Sequence, residues 1–299
     1  MAEPSLDIKR FVGRDLGTVT IMSIVGQGGT GTVFLAFQRT LKRQVAVKVM
    51  VKTAAMTASD QALFRQEAEI IASLSHPNII PIFEMGETDD CFFQVMQIVK
   101  GEDLETAIRR NALHPAPSRR IFSPVDAVPL IIQVLDGLGY AHNEGLIHQD
   151  IKPGNILIEE RSNRPLIADF GIAKNMQGDN LHDDSVILGT PLYMSPEHAA
   201  NAPTDKRTDI YSVGVMLFRM MVEKLPLAER SATALLARKA RSPETVFTAK
   251  PSQLNAAINL GLERIIMKAI EPDPDKRYLD CEAFKSDLEM FQKVHLGNS

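Results

Sequence analysis

HQDIKPGN (148–155) and, a short way downstream, DFG (169–171) are the stretches that decide how this chain is read. Asp150 is followed at fixed offsets by Lys152 and Asn155, and Asp169 opens the second motif. Two carboxylates, an amide and a lysine in this order suit chemistry at a metal-bound polyphosphate. One carboxylate faces an attacking hydroxyl and another holds a divalent cation. The amide completes the metal shell, and the lysine meets the charge on the group in transfer.

Upstream lies GQGGTGTV (26–33), a G-x-G-x-x-G pattern on Gly26, Gly28 and Gly31 with Val33 just beyond. Glycines let backbone approach phosphate oxygens with no Cβ in the way. The pattern alone is weak, because dinucleotide-binding folds use it too, but there it opens a helix. Here it runs into TVFLAF (32–37) and, after the charged turn QRTLKRQ (38–44), into VAVKVMV (45–51). These β-branched stretches with turn chemistry between them read as strands.

Lys48 sits mid-strand between valines. It is either a solvated strand lysine or a phosphate ligand beneath the glycine loop, and its placement favours the second. ASDQALFRQEAEIIASL (58–74) carries apolar residues at helical spacing, with Ser59 or Asp60 available as N-cap. Glu67 lies on that apolar face, which suits the buried partner of a lysine better than a misplaced surface charge.

With these motifs in place, the chain resembles a eukaryotic-like Ser/Thr protein kinase over about residues 16–292, closest in wording to bacterial members. Ala46-Val47-Lys48, HPNII (76–80), GTPLYMSPE (189–197), DIYSVGVMLF (209–218) and PDKRY (274–278) follow in the family's order. The resemblance implies an α+β, bilobal protein-kinase fold. Its N-lobe is a small antiparallel β-sheet with one helix, and its C-lobe is larger and mainly helical. The expected organisation is an N-terminal extension (1–15), an N-lobe (16–97), a C-lobe (98–292) and a tail (293–299).

The implied activity is ATP- and Mg²⁺-dependent transfer of a phosphoryl group to Ser/Thr hydroxyls of protein substrates. By resemblance Asp150 is the catalytic carboxylate and Lys152 contacts the γ-phosphate. Asn155 and Asp169 bind Mg²⁺, and Lys48, held by Glu67, contacts the α- and β-phosphates. Gly26, Gly28 and Gly31 cover the phosphates. The strand in CFFQVMQIVKGEDL (91–104) ends in the hinge, where Met96 is the gatekeeper and Gln97 and Val99 offer backbone groups to adenine. Val33 and Ala46 cover the purine from above and Leu157 from below. Glu197 with Arg277 resembles the family's buried ion pair, and Asp209 the anchor of the catalytic loop.

Two rivals come from other classes: a nucleotide-binding pseudokinase scaffold and a small-molecule kinase of the aminoglycoside type. The filled polar positions argue against the first. The GTPLYMSPE segment, which resembles a peptide-docking loop, argues against the second.

One position departs from the family. Relatives carry an arginine where this chain has Gln149, and that arginine meets a phosphate on the activation loop. Gln149 is neutral, while Asp183 and Asp184 already lie in NMQGDNLHDDSVILGT (175–190). These acids either substitute for phosphate charge or only solvate a mobile loop.

Composition agrees and excludes little. The chain has 299 residues and a formal net charge of −4, so nothing favours nucleic acid as a partner. Cys91 and Cys281 are far apart, show no metal spacing and fit reduced thiols in a cytoplasmic protein. No apolar run reaches the length of a membrane span, so no membrane segment is expected in this chain, and the longest run, SVGVMLF (212–218), fits a buried helix. NALHPAPSRRIFSPVD (111–126) reads as a loop before a helix over 127–145, with no role assigned. The chain is either free-standing or a piece of a longer protein, and its oligomeric state is open.

Overall fold

The computed structural model describes residues 8–28, 31–53, 56–170 and 190–297. They fall into two compact units: residues 8–76 with 80–100, and residues 77–79 with 101–170 and 190–297.

The first unit is an antiparallel sheet with one helix. Its strands are β1 (Asp15–Leu16), β2 (Val19–Gly28), β3 (Gly31–Gln38), β4 (Arg43–Val51), β5 (Ile82–Glu87) and β6 (Cys91–Met96), in the order β1-β2-β3-β4-β6-β5. Side chains alternate between faces along each strand. Phe34 and Ala36, then Val45, Val47 and Val49, then Cys91, Phe93 and Val95 share one face, and with Phe11, Leu16, Val19 and Ile21 they form its core. Burying each such Val, Ile or Phe contributes about 1.5–3 kcal/mol. Helix α1 (Ala58–Ser73) starts before the expected caps, so Ser59 and Asp60 fall within its first turn.

In the second unit, β7 (Gly101–Asp103), β8 (Ile156–Glu159) and β9 (Pro165–Ile167) form a small sheet. The rest is helical: α2 (Leu104–Ala112), α3 (Pro124–Asn143), α4 (Thr190–Tyr193), α5 (Pro196–Ala199), α6 (Arg207–Met220), α7 (Ala232–Arg241), α8 (Pro251–Leu254), α9 (Leu260–Ala269) and α10 (Cys281–Phe291). Helix α6 is buried nearly all round, which explains its apolar run. Gly214 lets α9 come close, since a Cβ there would lie 2.7 Å from that of Ala269.

The 111–126 stretch is less of a loop than the sequence suggests. Helix α2 occupies its start, Pro117–Arg119 form a 3₁₀ turn, and α3 begins at Pro124. Ser123 caps α3 by accepting from the Asp126 amide, with Pro124 preset for the first turn.

One stretch, Pro117–Asn143, is long and apolar enough to cross a membrane by length and composition only, a test that a buried core helix also passes. Its polar residues interrupt the run without lowering the average far. Val128, Ile131, Val134, Leu135 and Leu138 are buried, as in a core helix. Both cysteines are free and buried.

Candidate active site

In the first unit the expected nucleotide residues converge on one sheet face. Gly26 pairs with Val33, Val33 with Lys48, and Lys48 with Gln94, a row across β2, β3, β4 and β6. Ala46 pairs with Met96 one step along. Residues directly opposite, or two apart on a strand, share a face. Val33, Ala46, Lys48 and Met96 therefore lie together, opposite the apolar core. Lys48 is only 5% exposed, so it is no solvated strand lysine. Glu67 is on α1, but its side chain lies outside what is described, so the Lys48–Glu67 pairing does as well.

Gly26 and Gly28 lie at the end of β2 and Gly31 opens β3, so the glycines expected over the phosphates flank the connection between these two strands. Gly31 has φ +144°, and a Cβ there would sit 2.6 Å from the Val49 carbonyl oxygen. Gly31→Ala is expected to cost about 1–3 kcal/mol of backbone strain. Nucleotide titration should show weakened binding, with a lowered thermal midpoint; unchanged affinity would count against the loop assignment. Beyond β6, the Gln97 amide donates to the Pro81 carbonyl at 3.0 Å. Among the described residues, the Gln97 carbonyl and the Val99 amide take no backbone partner.

In the second unit the stretch expected to be catalytic, 148–155, is held by the buried Asp209 and its neighbours. The Asp209 carboxylate is fully buried and accepts from the backbone amides of His148 and Gln149, each at 2.8 Å. His142 Nε2 reaches the same carboxylate at 2.8 Å. Gln149 is thereby held at φ +60°, a left-handed conformation costly for a residue with a Cβ.

His148 is fully buried, and its ring packs against Phe170 with centroids 4.7 Å apart and the planes tilted by 44°. The Asp150 amide donates to its Nδ1 at 3.2 Å, so Nε2 carries the hydrogen and donates to the Ala168 carbonyl at 3.0 Å. Burial pushes the imidazole pKa down, although Asp209 opposes it, which matches this neutral tautomer.

The Ala168 amide in turn donates to the Asn155 carbonyl at 2.8 Å, and Ile167 to the Asn78 carbonyl at 2.8 Å. Asn78 of HPNII also donates from its side chain to the Pro165 carbonyl at 2.8 Å. These bonds lock the approach to Asp169, which sits at φ +58°.

The reactive groups themselves cluster. Lys152 Nζ lies 2.7 Å from Asp150 Oδ2, and Asp150 is 8% exposed. Asn155 Nδ2 donates to the Asp150 carbonyl at 2.8 Å and to Oδ2 at 3.3 Å. Its amide hydrogens are committed, so Oδ1 is the atom left to face a cation. Leu157 is half-buried on β8, opposite Asp103 and Leu166. Gly171, Asp183 and Asp184 lie outside the described residues.

Glu197 and Arg277 pair as expected, at 2.7 and 2.8 Å. Two groups escaped the sequence reading. His142 was hidden because its partner, Asp209, is remote in sequence. Lys239 is fully buried on α7, and the available signal was its position one turn after the buried Leu235.

Comparison with known proteins follows the same lines. The protein kinase domain family matches residues 19–288. The serine/threonine-protein kinase pkn3 of Myxococcus xanthus is 34% identical over 297 residues, covering 96% of this chain and 52% of its own. The serine/threonine-protein kinase PrkC of Bacillus subtilis is 32% identical over 274 residues, covering 91% of this chain and 40% of its own. The chain thus spans about half the length, or less, of these curated relatives. The crystal structure of the Mycobacterium tuberculosis PknI kinase domain aligns with a TM-score of 0.73, over 94% of this chain and 98% of that one, at 24% identity, a likeness of fold.

Proposed function

Because the chain belongs to the protein kinase domain family, we propose that it transfers the γ-phosphoryl group of ATP to serine and threonine hydroxyls of protein substrates. The observation that carries this reading is the Asp150–Lys152–Asn155 cluster, with a carboxylate, an ammonium and an amide on one buried turn. Asp150 orients the acceptor hydroxyl and takes its proton. Lys152, already bonded to Asp150, balances charge on the γ-phosphate.

The donor set fits Mg²⁺. Asn155 Oδ1 and the Asp169 carboxylate are hard oxygen ligands. Among the described residues no group of three or more His, Cys, Asp or Glu forms an all-protein cage. Mg²⁺ is usually held by one or two carboxylates plus substrate phosphates. Held there by Asn155 and Asp169, the ion would supply positive charge that offsets the charge of the phosphates during transfer. Lys48 meets the α- and β-phosphates beneath the Gly26–Gly31 hairpin. The purine packs against Val33, Ala46 and Met96 of the first unit and bonds to the hinge backbone at Gln97 and Val99.

The test is transfer of label from γ-labelled ATP to a serine- and threonine-containing peptide library. Wild-type enzyme is expected to label it. Lys48→Met fills similar volume but has no charge for the phosphates, so it should lose transfer while keeping its thermal midpoint. Nucleotide binding without any transfer by the wild type would instead establish a pseudokinase scaffold. An active Lys48→Met would overturn the role of that lysine.

A further inference from the structure

Helix α7 carries an ionisable group that the chemistry above does not use. Lys239 is 0% exposed. An ammonium is buried at high cost unless protein groups replace its water. Here Nζ donates to the carbonyl of Leu192 at 2.8 Å and to that of Met194 at 2.5 Å, and it lies 5.2 Å from the Tyr211 ring centroid. Both carbonyls belong to GTPLYMSPE, the segment running through α4 into α5. Pro191 and Leu192 of that segment form one wall of a cavity of about 620 Å³, and Ala232 and Leu235 of α7 form another. One side chain therefore ties the two walls together.

Resting on the protein-kinase reading above, we infer that Lys239 is a positioning residue for protein-substrate docking. Its amine fixes the backbone at 192–194 and with it the cavity wall, and the firmness of that hold follows the charge on the amine.

Burial pushes Lys239 down to about 7, with Glu197 of α5 opposing and Arg277 reinforcing. Burial raises the phenols of Tyr193 on α4 and Tyr211 on α6 well above their ordinary value, so both stay neutral near pH 7. The Glu197 carboxyl is held below its usual range by Arg277 despite its burial. Near neutrality, then, Lys239 is the group of this set that changes charge. Its protonated form makes charge-assisted bonds to the two carbonyls, roughly twice as strong as neutral ones. The segment is accordingly held more firmly at pH 6 than at pH 8.5.

The experiment measures kcat, peptide KM and ATP KM between pH 6 and 8.5, using an acceptor peptide without histidine or acidic residues. For wild type, peptide KM is expected to rise about fivefold across this range as charge-assisted bonds become neutral ones, with ATP KM unmoved. Lys239→Gln keeps N–H donors without the charge, so its peptide KM should be raised and flat with pH. Lys239→Met, with neither, should raise it further. An ordinary imidazole titrates in the same range, so His198→Gln on α5 serves as control and should keep the wild-type profile. Thermal unfolding of each variant accompanies the kinetics.

A flat wild-type profile would overturn the assignment whether or not the variants fold. So would a pH-dependent peptide KM that survives in Lys239→Gln, or a folded Lys239→Met with wild-type peptide KM. Wild type that transfers to no peptide would overturn the kinase reading itself, and this inference with it, before any substitution is made.

Discussion

Asp150→Asn is expected to retain nucleotide affinity and lose most turnover, by about 10²–10⁴-fold, the usual worth of a positioned general base. The substitution is nearly isosteric, so the surrounding bonds predict a local effect. The amide donation from Asp150 to His148 Nδ1 and the acceptance from Asn155 at the Asp150 carbonyl are backbone features and survive. What disappears is the charge that Lys152 faces at 2.7 Å and the oxygen able to take the hydroxyl's proton. Asp169→Asn should fail differently. It removes an anionic oxygen from a hard cation, so Mg²⁺-dependent nucleotide binding weakens before any step of transfer. Single-turnover transfer, together with nucleotide titrations with and without Mg²⁺, separates the two. Equal affinities and equal residual rates would show that the two carboxylates do not divide the work as assigned.

The legibility of this site in the sequence follows the range of its interactions. The groups of 148–155 are neighbours along the chain, so their order alone announced the chemistry. The row Gly26–Val33–Lys48–Gln94 was legible in part, because strand alternation fixes which residues share a face once two strands pair. The backbone conformation was not legible. Gln149 stood out in the sequence only as a missing positive charge. In the structure it is also a left-handed residue whose amide is claimed by Asp209, sixty positions away. No local pattern encodes that demand.

The Ser123 cap was legible and misread. Ser-Pro-Val-Asp (123–126) has the capping residue, the preset proline and the first-turn acid, yet it lay inside a stretch read as loop because proline and arginine dominated it. Lys239 marks the opposite limit. A lysine among alanines and arginines on an amphipathic helix reads as solvent-facing. Its burial is decided by carbonyls of a distant segment that only the fold brings near.

Removing one member of the Glu197–Arg277 pair is expected to destabilise the second unit by about 3–5 kcal/mol, because the survivor is left as a buried, uncompensated charge. The Arg277 side chain is 0% exposed. Its donors are fully engaged: Nη1 bonds Glu197 Oε1 at 2.7 Å and the Arg207 carbonyl at 3.1 Å. Nη2 bonds Glu197 Oε2 at 2.8 Å and the Pro272 carbonyl at 2.9 Å, and Nε bonds the Glu271 carbonyl at 2.6 Å. Thr208 also donates to Glu197 Oε1 at 2.9 Å.

Burial alone would raise the Glu197 pKa, but the Arg277 bonds outweigh it and hold the carboxyl below its usual range. A lowered folded-state value means the unfolded chain takes up the proton first. The stability this carboxylate contributes is therefore present above the ordinary carboxylate range and lost as pH falls through the folded value. Urea unfolding at pH 7 should show the full loss in Glu197→Ala and in Arg277→Met, and a smaller difference from wild type in strong acid for Glu197→Ala.

The double variant Glu197→Leu/Arg277→Met is the discriminating case. Replacing a buried pair by apolar residues is often neutral, but here the carbonyls of Arg207, Glu271 and Pro272 would lose their donor. Each such orphaned group costs about 1–3 kcal/mol. The double variant should therefore recover only part of the single-variant loss. Full recovery would mean that those carbonyls find water, and that the arginine serves the carboxylate rather than the backbone around it. Single variants that lose less than about 1 kcal/mol would place this pair with the surface ion pairs, whose worth is of that size.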